Sequence, residues 1–322
     1  MHTSKNEVTQ QISAGIALGK PALAVIILNW NAAEDTIRCV RSVQTWQDVD
    51  PTVYVVDNAS RDGSAQAIAT ACPHVHLIRN RTNRGFAGGN NPAIRAALAA
   101  GDAPILLLNN DASLDGENAA QLLHTLRSIP QAGFVGPLLF DAEQPEYLLS
   151  AGGRSPLHHH THVLSVAQAQ ASPTRVVDYI PGTVILIKAE VFRTVGMLDE
   201  AYFFNTEVAD LCLRGKRHGY DSVVDTRTRA YHSLGRSSHL RNTLYTYYTI
   251  RNRFLYIRKF HPRSKVALYG IWGLYSLALA IKEQLSGNTA TAKAMRLGLQ
   301  DGLQGRFGGQ NARVLALCGK GG

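Results

Sequence analysis

Acidic residues are missing from a long stretch of this chain. None occurs between Asp225 and Glu283, while eleven Lys and Arg residues fall in that interval. The imbalance underlies a net charge of +9 on 322 residues. Such a balance favours anionic partners: a nucleic acid, a membrane surface or a phosphorylated substrate. A nucleic-acid-reading module is missing as well, so charge alone makes no case for a nucleic-acid partner. Cysteine is scarce. Cys39, Cys72, Cys212 and Cys318 form no CxxC pair, which excludes a disulfide scaffold and argues against a cysteine zinc site; they read as reduced thiols of a cytoplasmic protein. Aromatics make up only 7% of the residues, so aliphatic side chains must build most of the core. Long hydrophobic runs are missing too. Residues 266–281 hold 16 positions without charge, short of the roughly 20 that a spanning helix needs. Residues 1–20 lack the basic start and long apolar centre of a signal peptide and read as a loose tail. No Gly-x-Gly-x-x-Gly follows the first strand, no P-loop occurs, and no Gly-x-Ser-x-Gly elbow is present.

What is present is an alternation of strands and helices. Leu23-Ala24-Val25-Ile26-Ile27-Leu28 is a continuous apolar run, as expected for a strand covered on both faces. Strands are also expected at 53–56, 75–78, 105–108 and 184–188. Helices are expected at 34–46, 62–71, 91–100, 115–127, 189–195 and 206–218. Pro92 would sit in a first turn, where its missing N–H costs little, and Asp115 would cap a helix. This order predicts an α/β fold, a mostly parallel sheet flanked by helices. From 140 to 178 the pattern fails, and a long loop with a hairpin is expected. The cluster His158-His159-His160-Thr161-His162 reads as an exposed polar loop. Beyond Asp225 the pattern reads as two or three basic helices.

Polar residues stand at the ends of the buried strands. In an open α/β sheet that carboxyl edge is where ligands bind. Asp57 follows one strand, and its carboxylate could accept from the N–H of a pyrimidine, with Asn29 beside it. Asp111 follows the central strand, where a hard cation would want oxygen ligands. His232, in Tyr231-His232-Ser233, could add a nitrogen ligand that Mn²⁺ tolerates better than Mg²⁺. Between them lies Asn83-Arg84-Gly85-Phe86-Ala87-Gly88-Gly89-Asn90-Asn91. Asn83, Arg84 and Gly85 could clasp a base or phosphates, with Gly88 and Gly89 letting backbone approach closely. The set suggests a nucleotide-sugar site.

These segments, with Gly182-Thr183, Asp199-Glu200-Ala201-Tyr202-Phe203-Phe204 and Glu207 to Arg214, resemble family 2 glycosyltransferases of the GT-A fold over roughly 22–260. The likeness is strongest to the rhamnosyltransferases of bacterial cell-surface polysaccharides. The resemblance implies an inverting transfer of a sugar, best guessed as L-rhamnose from dTDP-rhamnose, to a saccharide or lipid-linked saccharide. It implies Asp57, Asn29, Asn83, Arg84, Gly85 and Asn110 as nucleotide-binding residues, Asp111 and His232 as ligands of Mg²⁺ or Mn²⁺, and a catalytic base in the 199–210 segment. It implies a GT-A catalytic domain at 21–238, with a nucleotide half to about 140, followed by a helical region at 239–322. Two positions depart from the family pattern. Asn109 replaces the first Asp of Asp-x-Asp, and Val208 stands where the family's base usually stands. Either Glu207 or Asp210 then serves as base, both within one helical turn; Glu207 is favoured, because Asp210 could instead orient the acceptor or cap backbone groups. If neither does, the chain is a catalytically inactive scaffold that binds a nucleotide sugar. Tyr245, Tyr247, Tyr248 and Tyr256, beside the basic helices, suit peripheral contact with the inner face of the cell membrane. An oligomer is compatible with the sequence.

Overall fold

The computed structural model describes residues 19–158, 165–233 and 239–319. Most of the N-terminal tail and most of the histidine cluster therefore lie outside the described residues. The first half builds β1 (Ala22–Asn29), α1 (Ala33–Gln44), β2 (Asp50–Asp57), α2 (Ser64–Ala71), β3 (His76–Arg79), α3 (Gly85–Ala100), β4 (Ile105–Asn109), β5 (Ala112–Ser113) and α4 (Gly116–Ser128). Then come β6 (Ala132–Asp141), β7 (Leu148–Ser150), α5 (Val166–Ala169), β8 (Thr174–Val177), β9 (Val184–Ile187), α6 (Ala189–Val195), α7 (Glu207–Lys216) and β10 (Asp221–His232). Four helices finish the described chain: α8 (His239–Phe260), α9 (Lys265–Leu285), α10 (Thr289–Gln304) and α11 (Asn311–Cys318).

The strands form one sheet of order β3-β2-β1-β4-β9-β6-β10-β5, with β7 on β6 and β8 on β10. It is parallel through β3, β2, β1 and β4, and again between β6 and β10; β9 runs antiparallel to both its neighbours. The period-2 alternation of a strand divides β1 between two cores. Leu23, Val25 and Ile27 pack with Val40 of α1 and Leu122 of α4. Ala24 and Ile26 pack on the other face with Ile94 of α3, Phe192 of α6 and Leu211 of α7. Asp115 caps α4 as expected, its carboxylate accepting from Asn118 N at 2.7 Å.

Four expectations need correction. α3 begins at Gly85, not near 91, so the glycine- and amide-rich segment is two helical turns and Pro92 lies inside the helix. β6 occupies 132–141, where no strand was expected. β10 runs on to His232 past the supposed start of the basic helices; α8 and α9 then lie in the acid-poor stretch, in keeping with the expected two or three helices, and α10 and α11 follow it. The tyrosines of α8 are not a membrane-facing set. Tyr247, Tyr248 and Tyr256 are buried. Tyr248 stacks on Phe203 and Tyr247 donates to Asp301 at 2.7 Å, so the rings pack on the protein; Tyr245 alone of the four is exposed.

Candidate active site

The parallel strands end together. Asn29 of β1 lies opposite Asp57 of β2, and Leu28 lies opposite Asn109 of β4. Asn29, fully buried, donates from Nδ2 to Asp57 Oδ1 at 2.8 Å and to Ser60 Oγ at 3.1 Å. Thr36 Oγ1 donates to Asn29 Oδ1 at 2.8 Å, and Asn110 Nδ2 donates to Thr36 Oγ1 at 3.0 Å. Ser60 N donates to Asp57 Oδ2 at 3.1 Å. Asn29, Asp57 and Asn110, expected from the sequence on three separate strand ends, thus lie on one chain of side-chain bonds. Ser60, in the Asp57-Asn58-Ala59-Ser60 segment, and Thr36, which the sequence did not single out, link it. Each Asp57 oxygen retains acceptor capacity beyond its one bond here. The loops after β1 and β2 turn through Asn31 and Ala59, both at positive φ. Trp30 stands half exposed beside them.

Asp111 and His232 also meet. β5 leads away from Asp111 and pairs antiparallel with β10, placing His232 opposite Ala112. Ser233 N then donates to Asp111 O at 3.0 Å, and His232 Nε2 lies 3.1 Å from Asp111 Oδ1. Among the described residues no group of three or more His, Cys, Asp or Glu is assembled for a metal. The pair itself offers a hard oxygen and an imidazole nitrogen at one point of the sheet edge, a donor set that fits Mn²⁺ with substrate oxygens completing the shell.

Asn83, Arg84 and Gly85 are occupied by protein partners. Asn83 Oδ1 accepts from Asn58 Nδ2 and Gly85 N, at 3.0 and 2.8 Å. Arg84 pairs with Glu200 at 2.6 Å, and Asn91 Nδ2 donates to Glu200 Oε1 at 3.0 Å. Phe86 N donates to Phe203 O at 2.7 Å. Gly85 adopts φ +68°, and a Cβ there would lie 2.0 Å from Phe203 O, so only glycine fits. The close approach expected of Gly88 and Gly89 toward a ligand is corrected: a Cβ on Gly89 would meet Leu28 Cδ1 at 2.7 Å, and one on Gly88 would meet Arg84 Cβ at 2.8 Å. In this conformation the segment staples Asn58, just past the end of β2, to residues 198–204.

That second segment presents Glu207 at the start of α7. Phe203, Asn205 and Thr206 all have positive φ, a rare and costly backbone for such residues. The donors that hold it come from α8. Asn252 Nδ2 bonds the carbonyls of Tyr202, Phe204 and Asn205, at 3.1, 2.8 and 2.7 Å. Arg251, fully buried, donates to Tyr202 O at 2.7 Å and to Ala201 O and Gly308 O. Glu207 is 5% exposed, and its Oε2 has no hydrogen-bond partner among the described residues. Burial, with Asp210 adding to it, pushes its carboxyl up to about 7. Asp210 differs. It accepts from Tyr202 Oη at 3.0 Å and Arg214 Nε at 2.6 Å, and it pairs with Lys259. Lys259 also pairs with Asp199 at 2.7 Å. Val208 packs in the core against Gly182 and Phe86. Thr183, which follows Gly182, accepts at its carbonyl from Asn109 N at 2.9 Å, so Gly182-Thr183 bridges the segment of Glu207 and that of Asp111. Arg251, Asn252 and Lys259 were not singled out from the sequence; in a helix already rich in basic residues nothing local marks them.

Residues 24–162 match the family model described as Glycosyl transferase family 2. The low-salt glycan biosynthesis hexosyltransferase Agl10 of Haloferax volcanii is 25% identical over 240 residues, covering 72% of this chain and 74% of that protein. The N-acetylglucosaminyl-diphospho-decaprenol L-rhamnosyltransferase of Mycobacterium tuberculosis is 27% identical over 68% of this chain and 80% of its own. The dTDP-rhamnosyl transferase RfbF of Shigella flexneri is 26% identical over 80% of this chain and 88% of its own. Among solved structures, the mannosyltransferase PcManGT of Pyrobaculum calidifontis, in complex with GDP-Man and Mn²⁺, superposes with a TM-score of 0.56 at 18% identity, covering 92% of this chain and 79% of that one. That last likeness concerns the fold.

Proposed function

We propose that this chain, which carries a family 2 glycosyltransferase domain, is an inverting transferase that moves a sugar from a nucleoside diphosphate to a saccharide or lipid-linked saccharide hydroxyl. Deoxythymidine diphosphate rhamnose is the donor we favour, supported by the names of two relatives. The observation that carries the reading is the buried carboxyl of Glu207, one oxygen unpartnered, beside Val208, which packs on Gly182, while the next residue, Thr183, is bonded to the strand end that leads to Asp111.

Asp57, held by Asn29 and Ser60, accepts from the nucleobase; Asn110 steadies the same network. Arg84 and Asn83, with Gly85, fix the wall between donor and acceptor and stand within the nucleotide side. Asp111 and His232 would hold a divalent cation, which supplies charge to offset that developing on the leaving diphosphate. Glu207 takes the proton of the acceptor hydroxyl. The hydroxyl oxygen bonds to the anomeric carbon as the bond from that carbon to the phosphate oxygen breaks, and its electron pair leaves with the nucleoside diphosphate. Asp210, with every partner a protein donor, orients α7 through Lys259 and Arg214 instead of receiving a proton. Val208 leaves this chemistry intact because its side chain faces the core.

The test is nucleotide release and product formation from dTDP-rhamnose, UDP-hexoses, UDP-galactofuranose and GDP-mannose, with Mn²⁺ and a lipid-diphosphate N-acetylhexosamine acceptor. Turnover of one donor with inverted anomeric configuration supports the reading. Binding of a donor without turnover would leave the inactive scaffold in its place.

A further inference from the structure

α9 is apolar where it meets solvent. Trp272, Ser276 and Ala280 face the protein. Val266, Ile271, Leu274, Leu277, Ile281 and Leu285 face outward, Val266 at 86%, Leu274 at 72% and Leu285 at 84% exposure. At 100° per residue these six fall within an arc of roughly 140°. The strip runs the length of a 21-residue helix, about 30 Å. No helix among the described residues is long and apolar enough to cross a membrane.

The charges around the strip have one sign. Residues 239–322 hold thirteen Lys and Arg against two acidic residues. Arg263 is exposed just before α9, and Lys282 borders the strip near its end. Arg296 stands beside that end, bonded to Gln284. Glu283 lies opposite the strip on the helical wheel and accepts from Asn288 at 2.7 Å. Pairing this face with a second copy would set Arg263 and Lys282 against their like in either helix direction, with no acid on the strip to offset them. An anionic surface supplies the missing counter-charge, and an apolar helix face bordered by cations is what lies in a lipid headgroup layer.

We infer that the outward face of α9 docks the protein on a bilayer containing anionic phospholipid, the helix lying in the plane of the surface. The inference is independent of the transfer reaction and uses none of its residues. It is tested by co-sedimentation of the full chain with vesicles of phosphatidylcholine, with and without phosphatidylglycerol, beside Leu274→Gln/Leu277→Gln and Arg263→Gln/Lys282→Gln variants. Both pairs are solvent-exposed, and thermal unfolding confirms that the variants fold. The wild type should pellet with the anionic vesicles and weaken in high salt. The leucine variant should bind about tenfold or more less tightly, and the charge variant should lose the preference for phosphatidylglycerol. Absence of wild-type binding, or equal binding by the leucine variant, overturns the inference. So does light scattering that shows a dimer which the leucine variant turns into a monomer; the strip would then be a self-interface.

Discussion

In the proposed reaction Glu207 is the residue that takes the proton. Its carboxyl, raised by burial to about 7, must be ionised to take a proton. Turnover should therefore rise with pH through about 7 and level off above it, and Glu207→Gln should abolish it without loss of nucleotide binding; a pH–rate profile and a nucleotide titration check both. Stability runs the other way. A carboxyl whose folded value is raised binds its proton more tightly in the native state, so its contribution is full below the usual value of 4.5 and is lost as pH rises through about 7. Glu207→Gln should thus raise the unfolding temperature above pH 7, by up to about 3 kcal/mol of stability, and much less near pH 5. Asp111→Asn should remove most of the divalent-cation dependence of nucleotide binding, read by titration with Mn²⁺ and with EDTA. Asn29, Asp57 and Asp111 are legible in the sequence because each ends an apolar strand, where a polar residue has the sheet edge to face. The sequence favours Glu207 over Asp210 but does not show what separates them. The difference is set by Tyr202, Arg214 and Lys259, the last 49 positions away.

Helix α8 acts as a clamp on the loop before Glu207. Asn252→Ala takes the side-chain donor from three carbonyls of Tyr202, Phe204 and Asn205 and releases a backbone with three positive-φ residues. The expected result is a loss of about 2–4 kcal/mol of stability, with kcat falling much more than donor KM changes; unfolding and steady-state kinetics measure each. Elements built on hydrophobic periodicity, β1, β4 and α4 among them, can be read directly from the chain. β6 hides because Gly133, Gly136 and Pro137 resemble a turn. Its glycines answer to packing instead, since a Cβ would lie 2.6 Å from Tyr220 Cβ at Gly133 and 2.3 Å from Ile180 Cγ2 at Gly136. β10 hides for another reason: Arg227 and Arg229 point out from a strand whose alternate residues, Thr226, Thr228 and Ala230, are buried. The start of α3 hides because Gly85, Gly88 and Gly89 are poor helix formers, and the helix there is held by long-range contact with residues 198–204.

Across the whole molecule, the basic C-terminal helices are bonded to the candidate site. They lend Arg251, Asn252 and Lys259 to residues 199–210 on one side and turn the apolar strip of α9 to solvent on the other. Composition gives the charge of this region but not which cations are buried, because that depends on which helix face meets residues 199–210. The parallel strands bring Asn29, Asp57 and Asn109 together, and Thr183, just before the antiparallel β9, accepts from Asn109 N. The most direct test of a nucleotide-sugar site in this frame is thermal unfolding with dTDP, UDP, GDP or CDP, each with Mn²⁺, Mg²⁺ or EDTA. A ligand that binds only the native state at 100 times its Kd adds about 2.7 kcal/mol of stability. The account predicts a rise with one nucleotide that shrinks in EDTA and in Asp111→Asn. Unfolding temperatures unmoved by all four nucleotides, with either metal, would contradict it.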